Sequence, residues 1–137
     1  MRPDPKPTKK SKQVKKLFQK KSIPKLVKEL DRVFSLWIRN REQKCFTCGS
    51  DKNLQCGHYI SRRIYALRWD EQNCQTQCLR CNVLMHGNMP TFALKLQQKY
   101  GKDILEKLDQ KKNNKFKLEG FELELLIRTY GMWIKTK

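Results

Sequence analysis

The chain has 137 residues, and its 31 Lys and Arg against 13 Asp and Glu give a formal net charge of +18 at pH 7. This length is sufficient for one domain that buries roughly two-thirds of the surface exposed by its unfolded form. The excess of positive charge favours a polyanion such as nucleic acid as the partner, and argues against acidic proteins and small neutral metabolites.

No segment of the sequence has the features of a signal peptide or of a membrane span, which needs roughly 20 apolar residues. We therefore expect a protein of the cytoplasm and no membrane partner. Because thiols stay reduced in the cytoplasm, metal binding is the preferred interpretation of the six cysteines.

The first predicted element is a basic N-terminal tail, residues 1–21, which precedes a single predicted domain, residues 22–137. The tail consists largely of Lys, Pro, Ser and Gln and has few apolar residues. This composition is typical of disordered segments that bind phosphate groups through their charge.

A helix is predicted over residues 24–42, because apolar residues recur there at steps of three and four and Pro24 suits a first helical turn. The arginines beside the apolar stripe form either a solvated face or a DNA-binding face, and the pattern does not separate the two. The stripe, which we expect to be buried, contains Leu26, Leu30, Val33, Phe34, Trp37 and Ile38.

Residues 45–89 are predicted to form a cysteine-rich centre of turns and a small β-hairpin. Two Cys-x-x-Cys pairs supply four thiolates, the ligand set of a structural, tetrahedral Zn²⁺ site without an open position for water. Such a site contributes directly to folding. Cys56 is expected to pack as a small apolar residue, whereas Cys74 is kept as a competing ligand. The four predicted ligands are Cys45, Cys48, Cys78 and Cys81.

Between the two pairs, 29 residues separate Cys48 from Cys78, more than the roughly 15–20 of a plain zinc ribbon. The insert carries His58, and an isolated histidine near cysteines is more often a ligand or a packed residue than a catalytic base. Asn73 and Asn82 follow. A helix beginning at Asn82 would place His86, four residues later, on the same face.

The C-terminal part, residues 90–135, is predicted to be helical. One helix is expected between Pro90 and Gly101, and a short one in KDILEKLDQKK. After the polar break NNKFKLEG, a last amphipathic helix is expected in FELELLIRTYGMWIK. Its apolar positions include Phe121, Leu125, Ile127 and Tyr130.

The order His58, Asn73, Asn82 around two zinc knuckles resembles the HNH, or ββα-metal, nucleases. An ordered set of motifs is more specific, and over residues 30 to about 101 it is similar to the lambda NinG (Rap) family of phage recombination proteins. These motifs are LDRVFSLWIRNRE, CFTCG, CGHYISRR and LRWDEQNCQTQCLRCNVLMHGN, followed by a basic helix that ends in KYG. The resemblance implies an α+β fold, in which helices flank a zinc-stapled, HNH-like centre.

The family further implies a structure-specific DNA endonuclease that hydrolyses branched recombination intermediates, such as Holliday junctions and D-loops, with a divalent metal. His58 would be the general base, and Asn73 would hold the loop that carries it. Asn82 would offer an oxygen to a single Mg²⁺ or Mn²⁺. Cutting both strands of a junction calls for two active sites, which favours a homodimer.

One departure from the HNH pattern concerns the metal ligands. Gly57 stands where many HNH nucleases have an Asp that binds the metal, so Asp70, His86 or waters would have to complete the site. Trp69 is expected in the core rather than stacked on a base. Three arginines near His58 are expected to contact phosphates, namely Arg62, Arg63 and Arg68.

Two other functions remain open from the sequence. The main alternative is a non-catalytic, zinc-containing protein that binds branched or double-stranded DNA and recruits recombination proteins. A sequence-specific restriction or homing enzyme ranks lower, because 137 residues leave little room for a separate sequence-reading domain.

Overall fold

The computed structural model describes residues 6, 8–10 and 21–135, so most of the predicted basic tail, residues 1–21, lies outside the described residues. From residue 21 onward, helices combine with one two-stranded sheet, which confirms the predicted α+β class. In chain order the elements are α1 (Ile23–Arg41), β1 (Leu54–His58), α2 (Tyr65–Arg68), β2 (Cys74–Cys78), a π-helical turn (Arg80–Leu84), α3 (Met89–Tyr100), α4 (Ile104–Lys112) and α5 (Gly120–Lys135).

Helix α1 confirms the predicted apolar stripe. It begins after Ser22, with Pro24 in the first turn, and its C-terminal cap is Glu42. Trp37, at the edge of the stripe, is half-buried against the first core. The fully buried positions are Leu26, Leu30, Val33, Phe34 and Ile38.

Helix α5 packs against α1 through only some of the apolar positions named from the sequence. Phe121 and Leu125 are 70% and 62% exposed, whereas Leu123 and Tyr130 are buried. The Tyr130 ring meets Phe34 of α1 edge-on, with 5.0 Å between the ring centroids. Apolar residues lie on several sides of α5, so the periodicity alone did not determine which side faces α1.

The two strands are antiparallel, and the pairing runs from Leu54 opposite Cys78 to His58 opposite Cys74. The predicted hairpin is therefore present as a strand pair, but residues 59–73, including α2, connect its strands in place of a tight turn. Every residue of β2 is buried. The Thr76 hydroxyl donates to the backbone oxygen of Ile38 at 3.1 Å and thereby ties β2 to α1.

A second core lies under the C-terminal helices. Helix α3 has Pro90 in its first turn and ends at Gly101, whose φ of 106° is a conformation that glycine adopts without strain. Both helix ends agree with the prediction, as does the separate helix α4. The buried residues of this core are Leu67, Phe92, Leu96, Ile104 and Leu108.

The segment after Cys81 differs from the helix predicted there. Only a π-helical turn forms, and His86 has a left-handed φ of 51°. The backbone N–H of Gly87 donates to the Cys81 oxygen at 2.8 Å, so the chain turns back toward the second cysteine pair. Asn82 and His86 therefore do not share a helix face.

Within the described part of the chain, no helix is both long enough and apolar enough to cross a membrane.

Candidate active site and metal centre

The four cysteines predicted as zinc ligands converge in the structure. Their Sγ atoms all lie within 4.8 Å of one another. The Cys48 and Cys78 sulfurs are 3.6 Å apart. A tetrahedral site with Zn–S bonds of about 2.3 Å would have sulfurs roughly 3.8 Å apart. The cluster therefore fits a Zn²⁺ ion, with Cys45 and Cys48 supplied by the turn before β1 and the other pair by the end of β2 and the π-helical turn.

Hydrogen-bond donors surround these sulfurs, as is common around zinc-bound thiolates. The Thr47 hydroxyl lies 3.3 Å from the Cys45 sulfur. The Cys81 backbone N–H donates to the Cys78 sulfur at 3.5 Å, and the Asn88 amide nitrogen lies 3.7 Å from the Cys81 sulfur. Such donors stabilise thiolates, which are the metal-binding form of cysteine.

The pKa values of the first pair diverge. Burial raises the pKa of the Cys45 thiol, but hydrogen bonds from the Thr47 hydroxyl and from backbone N–H groups lower it to about 6. The Ser50 backbone lowers the pKa of Cys48, yet burial and the neighbouring cysteines together raise it to about 12. Neighbouring thiolates repel one another, so four adjacent sulfurs are not easily all deprotonated without a bound cation. This behaviour is typical of a metal site.

At the opposite end of the sheet, His58 lines a cleft of about 230 Å³. Its Nε2 lies 2.9 Å from the backbone oxygen of Arg68. A carbonyl oxygen only accepts hydrogen bonds, so Nε2 carries the proton and Nδ1 keeps its lone pair in the neutral ring. The hydrogen bond thereby selects the tautomer that a general base requires.

The charge state of His58 also suits a base. Burial lowers the pKa of His58 below its ordinary value of 6.5. The hydrogen bond to the Arg68 carbonyl and the Asp31 charge oppose this shift, while the nearby guanidinium groups of Arg62 and Arg68 add to it. His58 is therefore neutral at pH 7, the form that accepts a proton.

Asn73 is fully buried, directly precedes β2 and does not line the cleft. Its Oδ1 accepts the Ile60 N–H at 2.8 Å, and its Nδ2 donates to the backbone oxygens of Ile60 and Leu67, each at 3.0 Å. These bonds hold the segment that follows β1 against the one that precedes β2. Asn73 thus ties the segment after His58 to the segment that follows α2 by side-chain hydrogen bonds.

Asn82 lies in the same cleft as His58. Its Nδ2 donates to Gln55 Oε1 at 2.8 Å, and its Oδ1 receives no hydrogen bond from the described residues. The amide oxygen is thus available to a cation. His86, the other predicted metal ligand, is exposed and does not line the cleft.

The structure explains the glycine before His58. A Cβ atom on Gly57 would overlap the side chain of Gln77. Gln77 is itself fully buried, and its Nε2 donates to Thr47 Oγ1 and to the Gly87 oxygen. A carboxylate at position 57 would therefore displace the network that connects β2 to both ends of the cysteine cluster.

Asp31, on α1, is the carboxylate of the cleft, and sequence reasoning missed it. Asp70, named from the sequence, instead caps a turn: its Oδ1 accepts from the backbone N–H groups of Gln72 and Asn73, both at 2.9 Å. Its Oδ2 pairs with Lys111. The only hint of Asp31 in the sequence was an acidic residue beside the apolar stripe of a basic helix.

The three predicted phosphate-binding arginines differ in their surroundings. Arg68 Nε donates to Asp31 Oδ1 at 2.9 Å, and its Nη2 pairs with Asp31 Oδ2. Arg62 lies 3.3 Å from the same carboxylate and is largely exposed, and Arg63 is also exposed. Trp69 is buried, as expected, and its Nε1 donates to Asp31 Oδ1 at 3.0 Å.

The cleft therefore brings together His58, Asn82, Arg62 and Arg68, and leaves out Arg63 and His86. It contains one neutral imidazole with a free nitrogen, the amide oxygen of Asn82, and two guanidinium groups that pair with the Asp31 carboxylate. This set can remove a proton from water beside a bound phosphate. Donors for a hard cation are few in this cleft, because the Asp31 carboxylate is paired with Arg62 and Arg68.

Comparison with known proteins identifies relatives. The family model described as Bacteriophage Lambda NinG protein matches residues 2–137. Protein ninG of Escherichia phage 933W is 27% identical over 92 residues, which cover 64% of this chain and 46% of that protein. Protein ninG of Escherichia phage lambda is 26% identical over 92 residues, covering 64% and 45%.

A third relative, Protein ninG of Salmonella phage P22, is 27% identical over 88 residues, covering 61% of this chain and 43% of that protein. The chain spans about half the length of the curated relatives it matches. No solved structure gives a significant match.

Proposed function

The chain belongs to the family of the bacteriophage lambda NinG protein, and on that premise we propose that it is a metal-dependent DNA endonuclease with an HNH-like centre. Its substrates are branched recombination intermediates, such as Holliday junctions and D-loops. The observation that carries the proposal is the shared cleft of His58 and Asn82, in which a backbone carbonyl sets the tautomer of His58.

Phosphodiester hydrolysis needs a nucleophilic water, a base and positive charge near the scissile phosphate. His58 takes the proton of the water on Nδ1, while Arg68 O holds Nε2. Arg62, exposed at the mouth of the cleft, is placed to bind a phosphate oxygen. Mg²⁺ or Mn²⁺, with Asn82 as a ligand, would stabilise charge on the phosphate and on the leaving 3′ oxygen.

The zinc site has a structural role in this proposal. It holds the turn before β1 against the end of β2, and the pairing of these strands places His58 at the far end of the sheet. Four sulfur ligands leave no position for water, so hydrolysis belongs to the His58 cleft.

The alternative function, a non-catalytic DNA-binding accessory protein, is favoured by one observation. Asp31, the carboxylate of the cleft, is paired with Arg68 and Arg62, and Gly57 supplies none. A cation would thus have few protein ligands. Both functions need the positive charge and the zinc, so only a cleavage assay separates them.

That assay compares end-labelled branched and linear duplex DNAs incubated with the zinc-loaded protein and Mg²⁺ or Mn²⁺. We expect cleavage near the branch point that disappears when a chelator too weak to remove the zinc binds the added metal. Paired cuts on opposite strands would further indicate a dimer. If the protein binds branched DNA but cleaves it with neither Mg²⁺ nor Mn²⁺, the accessory function would be favoured.

Binding should depend steeply on salt, because each phosphate neutralised by Lys or Arg releases condensed counterions. We expect deletion of residues 1–21 to reduce the slope of log K against log salt. The matched control replaces the basic residues of that segment with Ser and keeps its length, and it should behave like the deletion. An unchanged slope in both variants would show that this segment does not contact DNA.

A further inference from the structure

A second cluster of soft ligands lies outside the four-cysteine site. The ligand atoms of Cys56, His58 and Cys74 are all within 4.8 Å of one another. We propose that these three residues form a separate site for a thiophilic divalent cation of the Zn²⁺ class, with a fourth position open to the cleft.

The strand register creates this cluster. His58 lies directly opposite Cys74 in the antiparallel pair, so their side chains share one face of the sheet. Cys56 is two residues before His58 on β1, and side chains two apart also share a face. The resulting triangle of two sulfurs and one imidazole is thus determined by backbone hydrogen bonds.

The site is also accessible. Cys74 is fully buried, and its sulfur donates to the backbone oxygens of Leu67 and Arg68, at 3.8 and 3.5 Å. Cys56 and His58, in contrast, both line the cleft. A cation entering from the cleft would meet Cys56 and His58 first and then the buried sulfur, and would keep a water or a phosphate oxygen on its open side.

The donor set selects the metal. Two thiolates and one imidazole bind Zn²⁺ well and suit Mg²⁺ or Mn²⁺ poorly, because hard cations prefer oxygen ligands. Three protein ligands with an open fourth position differ from the closed, four-ligand arrangement of structural zinc sites. The four-cysteine site lies at the other end of the strands: Cys74 and Cys78 are four residues apart on β2, about 14 Å at roughly 3.4 Å per residue, so the two sites are distinct.

Occupancy of this site has a consequence that rests on the proposed nuclease function. A cation bound to His58 uses the nitrogen lone pair that proton abstraction needs. Zinc binding and general-base action of His58 therefore exclude each other. The cluster would act as an inhibitory site that binds soft cations and does not bind Mg²⁺.

The binding test uses the full chain with the four-cysteine site filled by zinc, under a non-thiol reductant that prevents a Cys56–Cys74 disulfide. Co²⁺ is titrated, and bound cobalt, retained zinc and the thiolate-to-cobalt absorption are measured together. We expect one equivalent of cobalt in addition to the retained zinc. Cys56→Ser and Cys74→Ser should lose this equivalent, whereas Thr76→Ser, a matched control on the same sheet face, should keep it.

If the wild type binds no more cobalt than the zinc it loses, the proposed site does not exist. The proposal would also be overturned if both serine variants still bound the additional cobalt. If Cys74→Ser does not fold, Cys56→Ser decides, because Cys56 is only partly buried.

A second measurement separates this proposal from the proposed function. Added Zn²⁺ should inhibit DNA cleavage by the wild type and inhibit Cys56→Ser much less, each relative to its own rate without added zinc. Equal inhibition of both would overturn the inhibitory role. Absence of cleavage in every sample would contradict the nuclease function, while the cobalt titration would still decide whether the metal site exists.

Discussion

His58→Ala should lower the rate of DNA cleavage by about 10²–10⁴-fold, the usual effect of removing a general base. The reason is the geometry at the end of β1, where the Arg68 carbonyl holds Nε2 and leaves Nδ1 as the only proton acceptor of the ring. DNA affinity and the zinc of the four-cysteine site should persist, because His58 is not one of the four sulfur ligands. Single-turnover nicking assays, zinc analysis and thermal melting measure these three properties.

The chain offers a matched control, since its other histidine, His86, is exposed and outside the cleft. His86→Ala should cut at nearly the wild-type rate. Asn82→Ala should be strongly impaired, with partial recovery in excess Mn²⁺ if the amide binds the metal. Early melting or zinc loss in His58→Ala would show a structural role, and a wild-type cutting rate would remove His58 from the mechanism.

The pH profile gives an independent check on the same residue. A base works when it is unprotonated, and burial places the pKa of His58 below 6.5. The cleavage rate should therefore be constant above neutral pH and fall only when the pH drops below 6.5, as the ring becomes protonated. A rate that falls already above pH 7 would contradict a buried, neutral His58 as the base.

Removing the structural zinc should unfold the domain. Structural zinc sites contribute roughly 10–16 kcal/mol of apparent binding free energy, comparable to or larger than the whole stability of a typical domain, about 5–15 kcal/mol. Cys78→Ser, which removes a buried ligand at the end of β2, should lose tightly bound zinc and the cooperative thermal transition. A strong chelator should produce the same change in the wild type.

The control for cysteine substitution is Cys56→Ser, which should keep one tightly bound zinc and a cooperative transition. Elemental analysis and circular dichroism melting with and without the chelator provide the measurements. A folded, metal-free protein with a wild-type melting temperature would contradict a structural zinc site.

Local features of the sequence were sufficient for several conclusions. The Cys-x-x-Cys spacing by itself brings two sulfurs to one turn, so the cysteines of the four-sulfur cluster were predictable. The stripe of α1 was also predictable, because its apolar residues lie on one side only. Pro90 and Gly101 marked the ends of α3 through their backbone preferences, which depend on no distant contact.

Other features depended on contacts between distant segments. The buried side of α5 was set by packing on α1, which buries Tyr130 and leaves the apolar residues Phe121 and Leu125 exposed. A turn replaces the helix expected after Cys81, because the Gly87 N–H donates to the backbone oxygen of Cys81. His86 lies in this turn and therefore does not line the cleft.

The composition of the cleft was likewise decided by the tertiary structure. Asp31 reaches it from α1, 27 residues before His58 in the chain, and no local pattern connects the two. The register of β1 and β2 places Cys74 beside Cys56 and His58. Spacing along the chain thus determined which residues can bind zinc within one turn, whereas strand pairing and helix packing decided which distant side chains share a site.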